Sequence, residues 1–269
     1  MNKINLDTIV QEPLQGHTSK GDQPKWQLDN KWYKADHMGY EGLAEVLISR
    51  LLHKSNVVHF VEYKPALIQY QGKTTPGCIS RNFRQKGEML VPFERLHRAY
   101  TGQGLAAALG RMTTPTERIR YTVDFIEQTT VLTGVGAYLT LLLELDSFFL
   151  NEDRHTNNLA VIRDEKTMEF RLCPIFDNGL ALLSDLNDYP IEKDLYTCIS
   201  KVRAKPFDQD FDAQVEAAEA LYGPQLKFQF SRSDIPKELE DLKELYSQDL
   251  LTRAEAVLRE QMRKYPVYF

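Results

Sequence analysis

Leu150-Asn151-Glu152-Asp153-Arg154-His155-Thr156-Asn157-Asn158, followed by Pro174-Ile175-Phe176-Asp177-Asn178-Gly179, is the stretch on which the reading of this chain turns. It sets an Asp, an Asn five residues later, and a second Asp beyond a strand-like segment. Two carboxylates and an amide in this order suit phosphoryl transfer. One carboxylate orients an attacking hydroxyl, while the amide and the second carboxylate hold a divalent cation on the phosphates. A single Asp in a loop is most often a turn or cap residue. Three chemically matched residues, with a buried-looking helix before them and a hairpin between them, outweigh that bland reading.

The flanking segments supply this setting. Gly134 to Leu150 is the most apolar stretch of the chain. Glu144 and Asp146 interrupt it and it is too short to span a bilayer, so it reads as a buried helix. Leu159-Ala160-Val161-Ile162 and Glu169-Phe170-Arg171-Leu172 read as a hairpin closed by Asp164-Glu165-Lys166-Thr167. Upstream, Lys25-Trp26-Gln27-Leu28 and Lys31-Trp32-Tyr33-Lys34 flank an Asp29-Asn30 turn as two strands. The periodic leucines of Glu41 to Leu52 predict a helix with one buried face. Val57 to Tyr63, Ala66 to Gln71 and Cys78 to Phe83 read as three more strands. Beyond Arg84 to Gly87 helical patterns take over. Glu117 to Gln128, Asp210 to Leu221 and Lys237 to Lys264 are predicted helices, with Thr114-Pro115-Thr116-Glu117 as a helix start.

We therefore expect an α+β chain of two lobes, protein-kinase-like: a small β-rich N-lobe over residues 1–85 and a larger, mostly helical C-lobe over 86–269. The Asp153 to Asn158 spacing equals that of the protein-kinase loop H-R-D-x-x-x-x-N, and Asp177-Asn178-Gly179 stands in the place of D-F-G. Lys34, at the end of a strand and ahead of a helix bearing Glu41 and Glu45, suits a phosphate-holding lysine with a helix glutamate to position it. Glu41 and Glu45 are one turn apart on the same helix face, so spacing alone does not choose between them. The loop from Gly16 to Lys25 can cradle phosphate with backbone N–H groups, but it carries neither G-x-G-x-x-G nor G-x-x-x-x-G-K-[ST].

Composition narrows the field further. A net charge of −5 over 269 residues gives no bulk drive toward nucleic acid or anionic membrane. Two local basic clusters, Arg81/Arg84/Lys86 and Lys201/Arg203/Lys205, read as solvated faces, with a phosphate-facing role as the lesser option. The three cysteines, Cys78, Cys173 and Cys198, form no pair motif and read as small buried hydrophobes of a cytoplasmic protein. The first residues lack the apolar region of a signal peptide. No H-E-x-x-H, G-x-S-x-G or Cys–His arrangement supports zinc or nucleophilic hydrolase chemistry. His155 either ties the catalytic loop together or touches the transferred phosphate. Arg154 pairs with a carboxylate.

At these residues the chain resembles the HipA-like serine/threonine kinases, whose active site is related to that of the phosphatidylinositol-3/4-kinases. Ser19-Lys20-Gly21-Asp22-Gln23-Pro24-Lys25 looks like the family's S-x-G-x-Q-P-K loop. Trp32-Tyr33-Lys34 looks like its lysine strand, and Glu41 with the apolar helix that follows looks like its E-x-x-x-x-x-L-A segment. Asn151 to Asn158 is similar to N-x-D-R-H-x-x-N, and Leu172 to Asp177 to L-x-P-x-[FY]-D. The likeness spans Ser19 to Leu183 and is nearest to compact single-module members. It implies an ATP- and Mg²⁺-dependent kinase acting on a serine or threonine hydroxyl of a protein, with autophosphorylation conceivable at hydroxyls such as Ser184. Asp153 is then the base, and Asn158 and Asp177 the Mg²⁺ ligands. Lys34, Ser19, Gly21, Gln23 and Lys25 bind nucleotide, with Glu41 favoured as the partner of Lys34. A protein substrate and an antitoxin-like partner are the implied partners, with no direct nucleic acid and no membrane. The rivals are a lipid or small-molecule hydroxyl as acceptor, and a non-catalytic nucleotide-binding module.

Overall fold

The computed structural model describes residues 3–11 and 23–269. Its N-terminal part is a five-stranded sheet in the order β1-β4-β5-β3-β2. The strands are β1 (Lys3–Asn5), β2 (Lys25–Leu28), β3 (Lys31–Ala35), β4 (Tyr63–Tyr70) and β5 (Lys73–Arg81). β1 runs parallel to β4 and the other pairings are antiparallel. The Asp29-Asn30 turn joins β2 to β3 with both residues at positive φ, the backbone that a tight hairpin requires. Side chains alternate across the sheet. Trp26, Tyr33, Ala35, Ala66 and Ile68 close a small core with Leu6 on one face. Lys34 must then project from the other face, in register with Cys78 on β5 and Lys25 on β2.

On that face lies α1 (Glu41–Leu52). One buried face was the expectation; instead every residue of α1 except Arg50 is buried. The helix is enclosed because the sheet covers one side and the C-terminal half the other. Arg50 makes a two-pronged ion pair with Asp241, at 2.7 and 2.8 Å. Tyr40, just ahead of the helix, donates its hydroxyl to the Leu182 carbonyl. Against the sheet the approach is backbone to backbone: a side chain on Gly42 would stand 2.7 Å from the Gly77 backbone.

The chain then crosses to the larger, mostly helical lobe. β6 (Glu88–Pro92), β7 (Ala160–Asp164) and β8 (Phe170–Leu172) form a separate antiparallel sheet. The helices are α2 (Phe93–Thr101), α3 (Leu105–Leu109), α4 (Pro115–Thr130), α5 (Val135–Phe149), α6 (Leu195–Ile199), α7 (Phe211–Tyr222), α8 (Ile235–Leu239) and α9 (Gln248–Lys264). Thr114 and Glu117 complete a capping box at the start of α4, with Pro115 in its first turn. α5 is apolar nearly throughout and forms the axis of this lobe, contacting α4, α7 and α9. All three cysteines are buried and unbridged.

Two segments depart from the sequence reading. Val57 to Glu62 is not a strand; the Val61 N–H donates to the Ile175 carbonyl and the Ile175 N–H to the His59 carbonyl, both at 2.9 Å. Lys237 to Lys264 is not one helix. It breaks into α8, a 3-10 turn at Glu240–Glu244, and α9, which starts after an extended Ser247.

The β3–α1 connection is held by two carboxylates. Asp36 accepts the Gly42 N–H at 2.6 Å and the Tyr246 hydroxyl at 2.9 Å. Burial, with the Glu41 charge beside it, pushes the Asp36 carboxyl up to about 8. A folded-state value above the unfolded one means that the fold binds the extra proton, so stability falls as pH rises from about 4 toward about 8. Asp36→Asn removes the charge, keeps an acceptor for the Gly42 N–H, and turns the second bond round so that its amide donates to the Tyr246 hydroxyl oxygen. Denaturant unfolding at pH 5 and pH 8 is expected to show wild type losing stability over this range and the variant losing measurably less.

Candidate active site

The site begins where α5 ends. Leu150 takes a left-handed backbone, φ 56°, and stops the helix. Asn151 then turns back on α5: its amide donates to Asp146 Oδ1 at 2.8 Å, and its carbonyl oxygen accepts the Asp153 N–H at 3.2 Å. Arg154 is buried, as is Asp146, and the two form an ion pair at 2.9 Å. The same guanidinium donates to the Phe176 carbonyl at 2.9 Å and to Asn178 Oδ1 at 2.8 Å. Arg154 thus fastens the Asp153 loop to the Asp177 loop. The sequence reading assigned Arg154 a carboxylate partner; that partner is Asp146, and the two contacts to the second loop come in addition.

Asp153 is left at the surface of this clamp, its side chain 11% exposed. Burial raises its carboxyl, the Asp177 charge adds to that, and the His155 and Lys205 charges oppose it. Asn158 donates its amide N–H to the Asp153 carbonyl at 2.9 Å. That bond leaves Asn158 Oδ1, the atom able to ligate a cation, without a hydrogen bond among the described residues. Glu152 turns the other way, accepting the Tyr189 hydroxyl at 2.7 Å. His155 Nε2 stands 3.7 Å from Asp153 Oδ2, and neither ring nitrogen has a hydrogen-bond partner among the described residues. The side chain therefore does not tie the loop together.

Opposite stands Lys34. Its ammonium is 2.6 Å from Glu45 Oε1 and 2.7 Å from Asp177 Oδ1. Burial disfavours the charge, but Asp177 and Glu45 more than offset it, so the Lys34 pKa is raised and the ammonium persists. Asp177 adopts a left-handed backbone, φ 62°. Its side chain is 39% exposed. What burial it has works against the charge, but Lys34 and Lys25 hold the carboxyl well below the usual range. An ionised, accessible carboxylate and an amide oxygen are donor types that a hard divalent cation takes.

Of the two candidate partners of Lys34, the structure selects Glu45 over the favoured Glu41. The other Glu45 oxygen accepts the Asn178 N–H at 3.0 Å. Glu41 turns back on its own helix start and accepts the N–H groups of His37, Met38 and Gly39 at 2.8–3.3 Å. It supplies the acceptor for the backbone N–H groups of the turn that precedes the helix, which have no strand or helix partner of their own. Ser19 and Gly21 lie outside the described residues. Gln23 has a buried Nε2 with no hydrogen-bond partner among the described residues. Lys25 lies across from Lys34 in the sheet, and its charge acts on Asp177. Ser184 is buried and donates to the Gly179 carbonyl at 2.6 Å, which withdraws it from the cleft. Lys205, read from sequence as part of a solvated face, reaches Asp153 instead, with Nζ 3.4 Å from Oδ1.

No protein-family model matches the sequence, and no curated protein does. The fold does have a solved counterpart. The chain is similar to the crystal structure of the Helicobacter pylori proinflammatory kinase CtkA, with a TM-score of 0.64 and 16% identity over 98% of this chain and 95% of that one. The two-lobed kinase-like architecture is thereby shown along essentially the whole length. Among the described residues no helix is long and apolar enough to cross a membrane.

Removing one member of a buried ion pair leaves an uncompensated charge and costs about 3–5 kcal/mol. Arg154→Met is expected to lose that much in denaturant unfolding. Adding Asp146→Leu, which removes the stranded carboxylate, is expected to recover most of the loss.

Proposed function

We propose that the cleft binds ATP with Mg²⁺ and transfers the γ-phosphoryl group to a serine or threonine hydroxyl of a protein. The observation that supports this best is the pairing of Lys34 with Glu45 and Asp177, beside a desolvated Asp153. A lysine fixed by a helix glutamate, a metal-competent carboxylate and a base are the separable parts of a phosphoryl-transfer site. The kinase counterpart in fold supports the same chemistry. The protein hydroxyl as acceptor rests on the resemblance to the HipA-like kinases as a whole, since the D-R-H-x-x-N loop is shared with phosphoinositide kinases.

In this reading Lys34 holds the α- and β-phosphates, and Gln23 Nε2, with no partner of its own among the described residues, donates to a phosphate oxygen. Lys25 adds positive charge on the same face of the sheet. Asn158 Oδ1 and Asp177 would hold Mg²⁺, which when bound neutralises charge on the phosphates. Asp153 accepts the hydrogen bond of the acceptor hydroxyl and takes its proton as the oxygen attacks. Its raised pKa makes it a better base than an ordinary carboxylate at the same position. His155, its ring nitrogens buried and without a hydrogen-bond partner among the described residues, stands beside the base, 3.7 Å from Asp153 Oδ2.

Incubation with labelled ATP and a generic acceptor protein is expected to label the acceptor or the enzyme. Asp153→Asn should lower the rate about 10²–10⁴-fold with nucleotide affinity retained. Asp177→Asn should lower rate and Mg²⁺-dependent affinity together. Equal labelling by wild type and both variants would refute the assignment, and labelling of phosphoinositide vesicles alone would move it to a lipid acceptor.

The two glutamates separate by a different pair of readouts. Glu45→Ala is expected to weaken ATP binding about tenfold or more, a loss of about 1.4 kcal/mol, together with a loss of stability, because Lys34 and the Asn178 N–H both lose an acceptor. Glu41→Ala is expected to lower stability by about 1–3 kcal/mol, through unsatisfied backbone N–H groups, with smaller change in ATP affinity.

A further inference from the structure

Lys205 belongs to none of the motifs, yet it is 52 residues from Asp153 in sequence and 3.4 Å from it in space. It lies on the segment that joins α6 to α7. That segment is anchored on both sides of the lysine. Val202, Ala204 and Phe207 are buried. The Ala204 N–H donates to the Gln209 carbonyl at 2.9 Å, and the Phe207 carbonyl accepts from Arg118 at 2.7 Å. The position of Lys205 is therefore set by packing and not by a loose surface loop.

Its pairing with Asp153 is long, and the lysine side chain is 32% exposed. A long pair with a partly exposed lysine contributes modestly to stability. The chemistry gains more. In phosphoryl transfer negative charge spreads over the three equatorial oxygens of the moving group. Lys34 stands against Glu45 and Asp177, Lys25 acts on Asp177, and Arg154 is buried against Asp146, Phe176 and Asn178. On the acceptor side of the cleft, where Asp153 works, Lys205 supplies the ammonium.

We propose that Lys205 is a further catalytic residue, whose ammonium contacts the γ-phosphoryl group as it passes to the acceptor oxygen held by Asp153. The inference rests on the kinase reading above. In the step concerned, the bond from the acceptor oxygen to Pγ forms and the bond from Pγ to the β–γ bridging oxygen breaks. ADP leaves with that electron pair, and the acceptor proton passes to Asp153. Lys205 stays protonated throughout and donates hydrogen bonds to the equatorial oxygens and to Asp153 Oδ1.

Lys205→Met and Lys205→Arg, compared with wild type for kcat, KM for ATP, and affinity for Mg·ADP and a non-hydrolysable Mg·ATP analogue, test this. Lys205→Met is expected to lower kcat about 10²-fold or more, with Mg·ADP affinity and thermal unfolding unchanged and the preference for the triphosphate analogue over ADP reduced. Lys205→Arg, which keeps the charge, is expected to recover much of kcat. A Met variant with wild-type kcat overturns the role of Lys205 and leaves the kinase reading intact. Loss of Mg·ADP affinity and thermal stability in both variants, in step with kcat, also overturns it, because that pattern marks a structural part. A wild-type protein that neither transfers phosphate nor binds either nucleotide refutes the kinase reading, and this inference with it.

Discussion

Arg154 in its buried pocket is the constraint around which the catalytic centre is arranged. A guanidinium removed from water is tolerated only when its charge and its donors are matched, and here every match is also a positional instruction. Asp146 ties the group to the central helix of the C-lobe, the Phe176 carbonyl to the strand end before Asp177, and Asn178 Oδ1 to the residue after it. Asn178 passes the connection onward through its backbone N–H to Glu45, and Glu45 passes it to Lys34. One continuous polar path thus runs from α5, through both acidic loops, into the sheet of the N-lobe. Misplacing any member would disturb the separation of Asp153 from Lys34.

Electrostatically the cleft divides its labour. Two carboxylates with opposite pKa displacement stand close enough for the charge of one to act on the other. The cations beside Asp177 keep it ionised and suited to a metal ion, while the desolvation of Asp153 favours its taking up a proton. Two identical functional groups acquire different chemistry from their neighbours.

How much of this is legible in sequence depends on the range over which the information is carried. The Asp153 loop is readable because residue type and spacing must both be right within nine residues of chain. The α5 helix and the β7–β8 hairpin are readable from apolar pattern and turn residues. The Glu41 or Glu45 alternative is not settled by pattern, because both lie on one helix face. It is decided by the turn through Asp36 to Tyr40, whose N–H groups claim Glu41 first. Val57 to Glu62 has the composition of a strand, but its bonding partner is Ile175 in the other lobe and not a sheet neighbour. The unbroken apolar period from Lys237 to Lys264 conceals the break before Ser247, where packing overrides helix propensity. Lys205 leaves no local signal, since its meaning comes only from a contact 52 residues back.

The near-total enclosure of α1 has a consequence for how such a cleft can be controlled. The helix meets β5 backbone to backbone at Gly42 and Gly77, and it is fastened on its far side through Arg50, with Tyr40 and Asp36 securing the turn ahead of it. A helix bolted to both of its neighbours cannot swing outward and take its glutamate with it. The Lys34–Glu45 pair is therefore a standing part of the scaffold and not a movable latch. Control of this site has to fall on what enters the cleft, or on the segments that rim it, since Lys34 is already paired and in place.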